Sequence, residues 1–131
     1  FDCADGHIII ASGNDGQFMK LCHLLGLETG GAYASNTERL EKRAELMALL
    51  TEKTIGWTKL DLLAACEENG VPAGPINDMA EVFADPQIVA RAMQVDLDGV
   101  PSVRLPVLFS GADITPKRGA PKLGEHQDLL D

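Results

Sequence analysis

The chain has 131 residues, 45% of them apolar and 24% charged, which suits one globular domain with a modest core. Its net charge of −9 and sequence pI of about 4.6 argue against broad docking on a phosphate backbone, so no nucleic-acid partner is expected. No run of 18 apolar residues is present, so no membrane partner is expected either.

His7–Ser12 (HIIIAS) predicts a strand, and three consecutive isoleucines suggest burial on both faces. Gly13 breaks it, and Asn14 with Gln17 three residues on predicts the start of a helix. Phe18, Leu21, Cys22 and Leu25 then follow at the spacing of one helical face, and Gly26 stands where a C-terminal glycine belongs. Glu28–Ala34 reads as loop, broken by Gly30-Gly31. Ser35 with Glu38 predicts a capping box and a helix through about Leu50. Leu40, Met47 and Leu50 are read inward, and Arg39, Glu41, Lys42, Arg43 and Glu45 mostly outward. Thr58 with Asp61 predicts a third helix start, with Trp57 stapled to Leu62, running to Glu68 and ending at Asn69-Gly70. "GVPAGPIND" (Gly70–Asp78) reads as irregular. Asn77 caps a short helix at Asp78–Phe83, and Asp85-Pro86 opens another. Ala92–Ser110 predicts two strands around a turn at Asp98-Gly99, with Val95 and Leu97 alternating against Asp96. Gly111–Asp131 reads as extended, with a short helical end at His126–Leu130. Helices followed by a small antiparallel sheet, without βαβ alternation, make this an α+β chain.

The chemistry-bearing motifs are few. Neither dinucleotide nor P-loop glycine fingerprint occurs. "SGNDG" can present backbone N–H groups to an anion at a helix start, although Asp15 opposes one there. His7, His23 and His126 form no metal-ligand spacing, "DLDG" lacks the remaining positions of a calcium loop, and no metal is expected. Ser12 has no recognisable histidine and acid partners for nucleophilic work, and "ERLEKR" reads as a solvated helix face. The odd number of cysteines, Cys3, Cys22 and Cys66, lacks any C-x-x-C pair and reads as free thiols in a reducing cytosol. The free-thiol reading carries the expectation of a cytoplasmic location. The chain opens on Phe1 and reads as a piece of a longer protein.

Four blocks together carry a resemblance: "CADGHIIIASGNDGQFMKLCHLLGL", "SNTERLEKRAEL", "ENGVPAGPINDMAEVFADPQIVARAM" and "APKLGEHQDLL". In order and spacing they resemble the class III CoA-transferases of the CaiB/BaiF type, along nearly the whole chain. The resemblance implies the small domain of a two-domain enzyme, with residues 1–110 as the small α+β domain and residues 111–131 as an extended segment returning toward the large domain. It implies transfer of CoA from an acyl-CoA to a carboxylic acid through an aspartyl-acyl anhydride, in an interlocked homodimer, with CoA as substrate and no resident cofactor. The nucleophilic aspartate would lie upstream of Phe1, so this chain holds no catalytic residue and is expected to be inactive alone. Its expected contribution is one wall of the substrate cleft at Gly13, Asn14, Asp15 and Gln17, with Gly70–Pro75 and Gly124–His126 as secondary candidates. Two alternatives stand beside this. In the family's α-methylacyl-CoA racemases an acidic residue stands where Asp15 stands here, as Glu rather than Asp. The chain could also be a non-catalytic dimerisation domain.

Overall fold

The computed structural model describes residues 1–28 and 31–127. It divides into two compact units, Phe1–Ile76 and Asn77–Asp131. The division falls inside the stretch 1–110 that the resemblance implies to be one domain.

The first unit is built on a three-stranded antiparallel sheet of β1 (Asp2–Cys3), β2 (Gly6–Ile10) and β3 (Ala73–Ile76), with β2 in the centre. The isoleucine run alternates instead of being buried on both faces: Ile8 is fully buried, Ile9 is 57% exposed and His7 faces solvent. An antiparallel sheet covered on one side explains this, because successive side chains point to opposite faces.

β3 was not expected in a stretch so rich in Pro and Gly. It is tolerated because β3 is an edge strand and Pro75 pairs with Ile8. Both backbone groups of Ile8 are already engaged on the other side, its N–H donating to Phe1 O (3.0 Å) and its O accepting from Phe1 N (2.7 Å). A residue without an N–H therefore loses no ladder bond opposite Ile8.

Helices α1 (Asp15–Leu24), α2 (Asn36–Glu41), α3 (Arg43–Thr54) and α4 (Lys59–Glu68) pack around the sheet's covered face. The face predicted on α1 is found: Phe18, Leu21 and Cys22 are buried, Leu25 follows just past the helix, and Gly26 takes φ +63°. The predicted helix after Ser35 is instead two helices broken at Lys42. Leu40 (63%) and Met47 (37%) are exposed, while Leu46, Leu50 and Thr54 are buried. Thr58 caps α4 by accepting from the Asp61 N–H (3.1 Å), and Asp5 accepts from the Lys59 N–H (2.7 Å). Ile8, Leu21, Cys22, Leu62 and Cys66, each at most 1% exposed, form the centre of the core.

In the second unit, α5 (Met79–Ala84) and α6 (Pro86–Ala90) precede an antiparallel hairpin of β4 (Gln94–Leu97) and β5 (Val100–Val103). Asp78, rather than Asn77, caps α5, and its box with Glu81 is reciprocal. Asp85 caps α6 ahead of Pro86, as expected. The predicted turn is present, with φ +57° at Asp98 and +80° at Gly99, the backbone that a two-residue hairpin loop requires. The segment at Gly119 lies against this turn, its N–H donating to Asp98 Oδ2 (3.1 Å). Every buried residue among those described lies in the first unit. Of the short helical end expected at His126–Leu130, residues 128–130 lie outside the described residues, as does Gly30 of the expected Gly-Gly breaker. The α+β class holds, with helices plus small antiparallel sheets.

Candidate functional site

The turn after β2 is closed by its own side chains. Asn14 is extended (φ −145°, ψ 168°), and its Oδ1 accepts from the Gln17 N–H (2.9 Å). Gln17 Oε1 reaches back to accept from the Gly13 N–H (2.8 Å), one residue earlier than in a standard capping box. Two of the backbone N–H groups that an anion would need are thus already satisfied by side chains.

The position next to Asn14 is tied to a distant part of the unit. Asp15, 62% exposed, pairs with the guanidinium of Arg39, whose side chain is only 11% exposed. From the same group, Nη1 donates to the carbonyls of Tyr33 (3.0 Å) and Ala34 (3.1 Å), and the Phe18 ring lies beneath it at 4.6 Å. Arg39 was expected to face outward. This residue instead turns in toward α1, on the same face as Leu46 and Leu50. The loop it holds is anchored again by Tyr33, a buried ring whose hydroxyl donates to Glu45 Oε1 (2.7 Å). That hydrogen bond, with burial and the carboxylate's charge behind it, pushes the tyrosine pKa up.

Beside the turn lies a groove of about 200 Å³, walled by Ile10, Ser12, Phe18, Arg39, Arg43 and Met47 among others. None of Gly13, Asn14, Asp15 and Gln17 lines this groove; their immediate neighbours Ser12 and Phe18 do. Neither histidine nor acid accompanies Ser12 there, so the residues of a hydroxyl nucleophile relay are not assembled. The groove is mainly apolar with two cations on its rim, a combination that the outward reading of Arg39 had hidden.

The secondary candidates behave differently. Gly70–Pro75 runs into the edge strand β3 and borders an open concavity of about 640 Å³ with Leu60, Leu63 and Glu67. It is larger than the groove but carries a single titratable group. At Gly124–His126, in the second unit, Glu125 Oε2 accepts from the Lys122 N–H (2.6 Å) and Gly124 takes φ +77°, a local turn. Cys3, Cys22 and Cys66 are unbridged and buried, and burial is the main cause that raises each thiol's pKa. Among the described residues no three His, Cys, Asp or Glu side chains gather to hold a metal ion, and no helix is long and apolar enough to cross a membrane.

The family model described as CoA-transferase family III matches residues 1–127. The chain is 46% identical over 132 residues to a succinate–glutarate CoA-transferase of Agrobacterium fabrum, covering 95% of this chain and 33% of that protein. It is 34% identical over 134 residues to a human succinyl-CoA:glutarate CoA-transferase, covering 96% and 31%. A crystal structure of a CaiB/BaiF family protein from Brucella suis superposes with a TM-score of 0.84 at 49% identity, covering 99% of this chain and 35% of that one. The chain therefore spans about a third of the length of the relatives it matches. A match over nearly all its residues, with the same α+β fold, places the chain in CoA-transferase family III.

Proposed function

We propose that the full-length protein containing this chain moves CoA from an acyl-CoA to a carboxylate, and that this chain supplies one wall of the cleft. The observation that carries the reading is the 46% identity to a protein named for that reaction, running over 95% of the chain. Short dicarboxylic acids such as succinate and glutarate, named in the relatives, are the first substrates to test.

In this reading the nucleophile is an aspartate outside the chain. Its carboxylate attacks the thioester carbonyl, the C–S bond breaks, CoA leaves as thiolate and a mixed anhydride holds the acyl group. The thiolate then attacks the aspartyl carbonyl, breaking its C–O bond and releasing the first acid as carboxylate. The second carboxylate attacks this aspartyl-CoA thioester and expels the thiolate. The thiolate finally attacks the acyl carbonyl of the new anhydride, breaking its C–O bond and freeing the aspartate. CoA is substrate throughout, and no resident cofactor takes part. The Gly13–Gln17 turn contributes shape: its caps hold it rigid, and its neighbours Ser12 and Phe18 open onto an apolar groove that suits an acyl chain. The ion pair between Asp15 and Arg39 favours this over the racemase reading, since a carboxylate engaged by a guanidinium is poorly disposed to share proton transfer. The second unit buries none of its described residues, which supports its being covered in a larger assembly, and we take that assembly to be the interlocked homodimer.

Full-length protein given succinyl-CoA and hydroxylamine should release succinyl hydroxamate above the uncatalysed background without any acceptor acid. Absence of trapping, together with deuterium wash-in at the α-carbon of a 2-methylacyl-CoA, would replace this reading with the racemase. The isolated 131-residue chain should trap nothing.

A further inference from the structure

We propose that Arg39 is a positioning residue for the reaction, holding the Gly13–Gln17 turn in register with the groove. This rests on the reading that the turn borders the cleft. One side chain here joins two separate stretches: the first turn of α1, through Asp15 and the Phe18 ring, and the backbone carbonyls of Tyr33 and Ala34 before α2. Nη2 serves the carboxylate and Nη1 serves both carbonyls, while the flat face of the guanidinium covers the ring. Only a planar, many-donor cation can do all of this at once; an ammonium is a point charge on a flexible stem.

The local caps explain why this is a matter of position rather than of folding. Asn14 and Gln17 supply the turn's own hydrogen bonds, and Arg39 supplies its link to the rest of the unit. What the caps cannot set is where the closed turn sits relative to the loop at 33–34 and to the groove wall. Arg39 also lines that groove, so the clamp and the wall are one residue. The loop end of the clamp is independently anchored by Tyr33 on Glu45, and the turn is therefore referred to a fixed point on α3.

The test uses full-length protein carrying Arg39→Gln, Arg39→Lys, Asp15→Asn or the Asp15→Asn/Arg39→Gln pair. In Arg39→Gln, hydrogen exchange of the amides at 13–18 should speed up about tenfold or more, while those of Ile8–Ile10 and α4 stay as in the parent. The kcat for CoA transfer should fall about 10- to 100-fold with KM for acyl-CoA changed less than about twofold, the pattern of a misplaced wall rather than a lost ligand. Arg39→Lys, which keeps the charge, should show the same loosening to a smaller degree, and serves if Arg39→Gln does not fold. Adding Asp15→Asn to Arg39→Gln should cost nothing more, because both cut the same link. Unchanged exchange at the turn, unchanged kcat despite a loosened turn, or fully additive losses would each overturn the proposal. A parent protein that transfers no CoA would instead defeat the functional reading, and the exchange measurement would still decide whether Arg39 is the clamp.

Discussion

Ile8 and Ile9 are neighbours in one run of identical residues, yet one is fully buried and the other is 57% exposed. Replacing each by Ala removes the same three carbons and the same β-branch. At about 0.8 kcal/mol per buried carbon the transfer loss at Ile8 is about 2.4 kcal/mol. Ile8 sits with Leu21, Leu62 and Cys66 in the tightest part of the core, so a residual cavity should bring the total to about 3–4 kcal/mol. At Ile9 less than half of that surface is covered and no closed cavity forms, so about 1 kcal/mol is expected. The loss of β-propensity is common to both variants and cancels in the comparison. Urea unfolding of the 131-residue chain, followed by the fluorescence of its single tryptophan, Trp57, reads the first unit directly, because Trp57 packs on that core. The midpoint should drop by about 1.5–2 M urea for Ile8→Ala at an m-value of about 2 kcal/mol/M, and by about 0.5 M for Ile9→Ala. Equal shifts in the two variants would refute the one-sided burial of β2 and restore a strand buried on both faces.

Ser35→Ala should destabilise the chain by about 1 kcal/mol, since it removes the acceptor for the Glu38 N–H, and the same urea titration measures it. The Ser35 backbone and hydroxyl bonds hold the Glu38 carboxyl below its ordinary value of 4.5. The unfolded state therefore binds this proton first as pH falls. The stabilisation is present above about pH 4.5 and is lost as pH drops through the depressed folded value, and Ser35→Ala should flatten that acid-side slope. Gly119→Ala should disturb the hairpin of the second unit, because an added Cβ would stand 2.7 Å from the Leu97 carbonyl oxygen, and loss of amide protection over β4 and β5 would register it. Cys22 and Cys66, at most 1% exposed and with thiol pKa values raised chiefly by burial, should resist iodoacetamide at pH 8 in the native chain and react after urea unfolding; rapid native labelling would show that the core opens.

The turn that borders the groove was legible because its signals are local. Asn14 and Gln17, Ser35 and Glu38, Thr58 and Asp61, and Asp85 before Pro86 each announce a helix start within four residues, and each is found there. Asp98-Gly99 announces its turn in two. Arg39 carried no comparable signal. It stands in "TERLEKR", among charges that solvate a helix face equally well, and its inward course rests on contacts with Asp15, Phe18 and the loop carbonyls of Tyr33 and Ala34.

By itself the sequence determined the α+β class, the starts of α1, α2, α4 and α6, the apolar face of α1, the hairpin turn and, through four blocks of motif, the family. Tertiary structure decided which face of β2 is covered, that a Pro-Gly stretch joins the sheet as its edge, and that one arginine ties the turn at 13–17 to the loop at 33–34. The division follows range: caps and turns satisfy hydrogen bonds within a few residues and are written in local order. Edge pairing and the Asp15–Arg39 link join residues 24 to 69 positions apart, and only the packed chain brings them together.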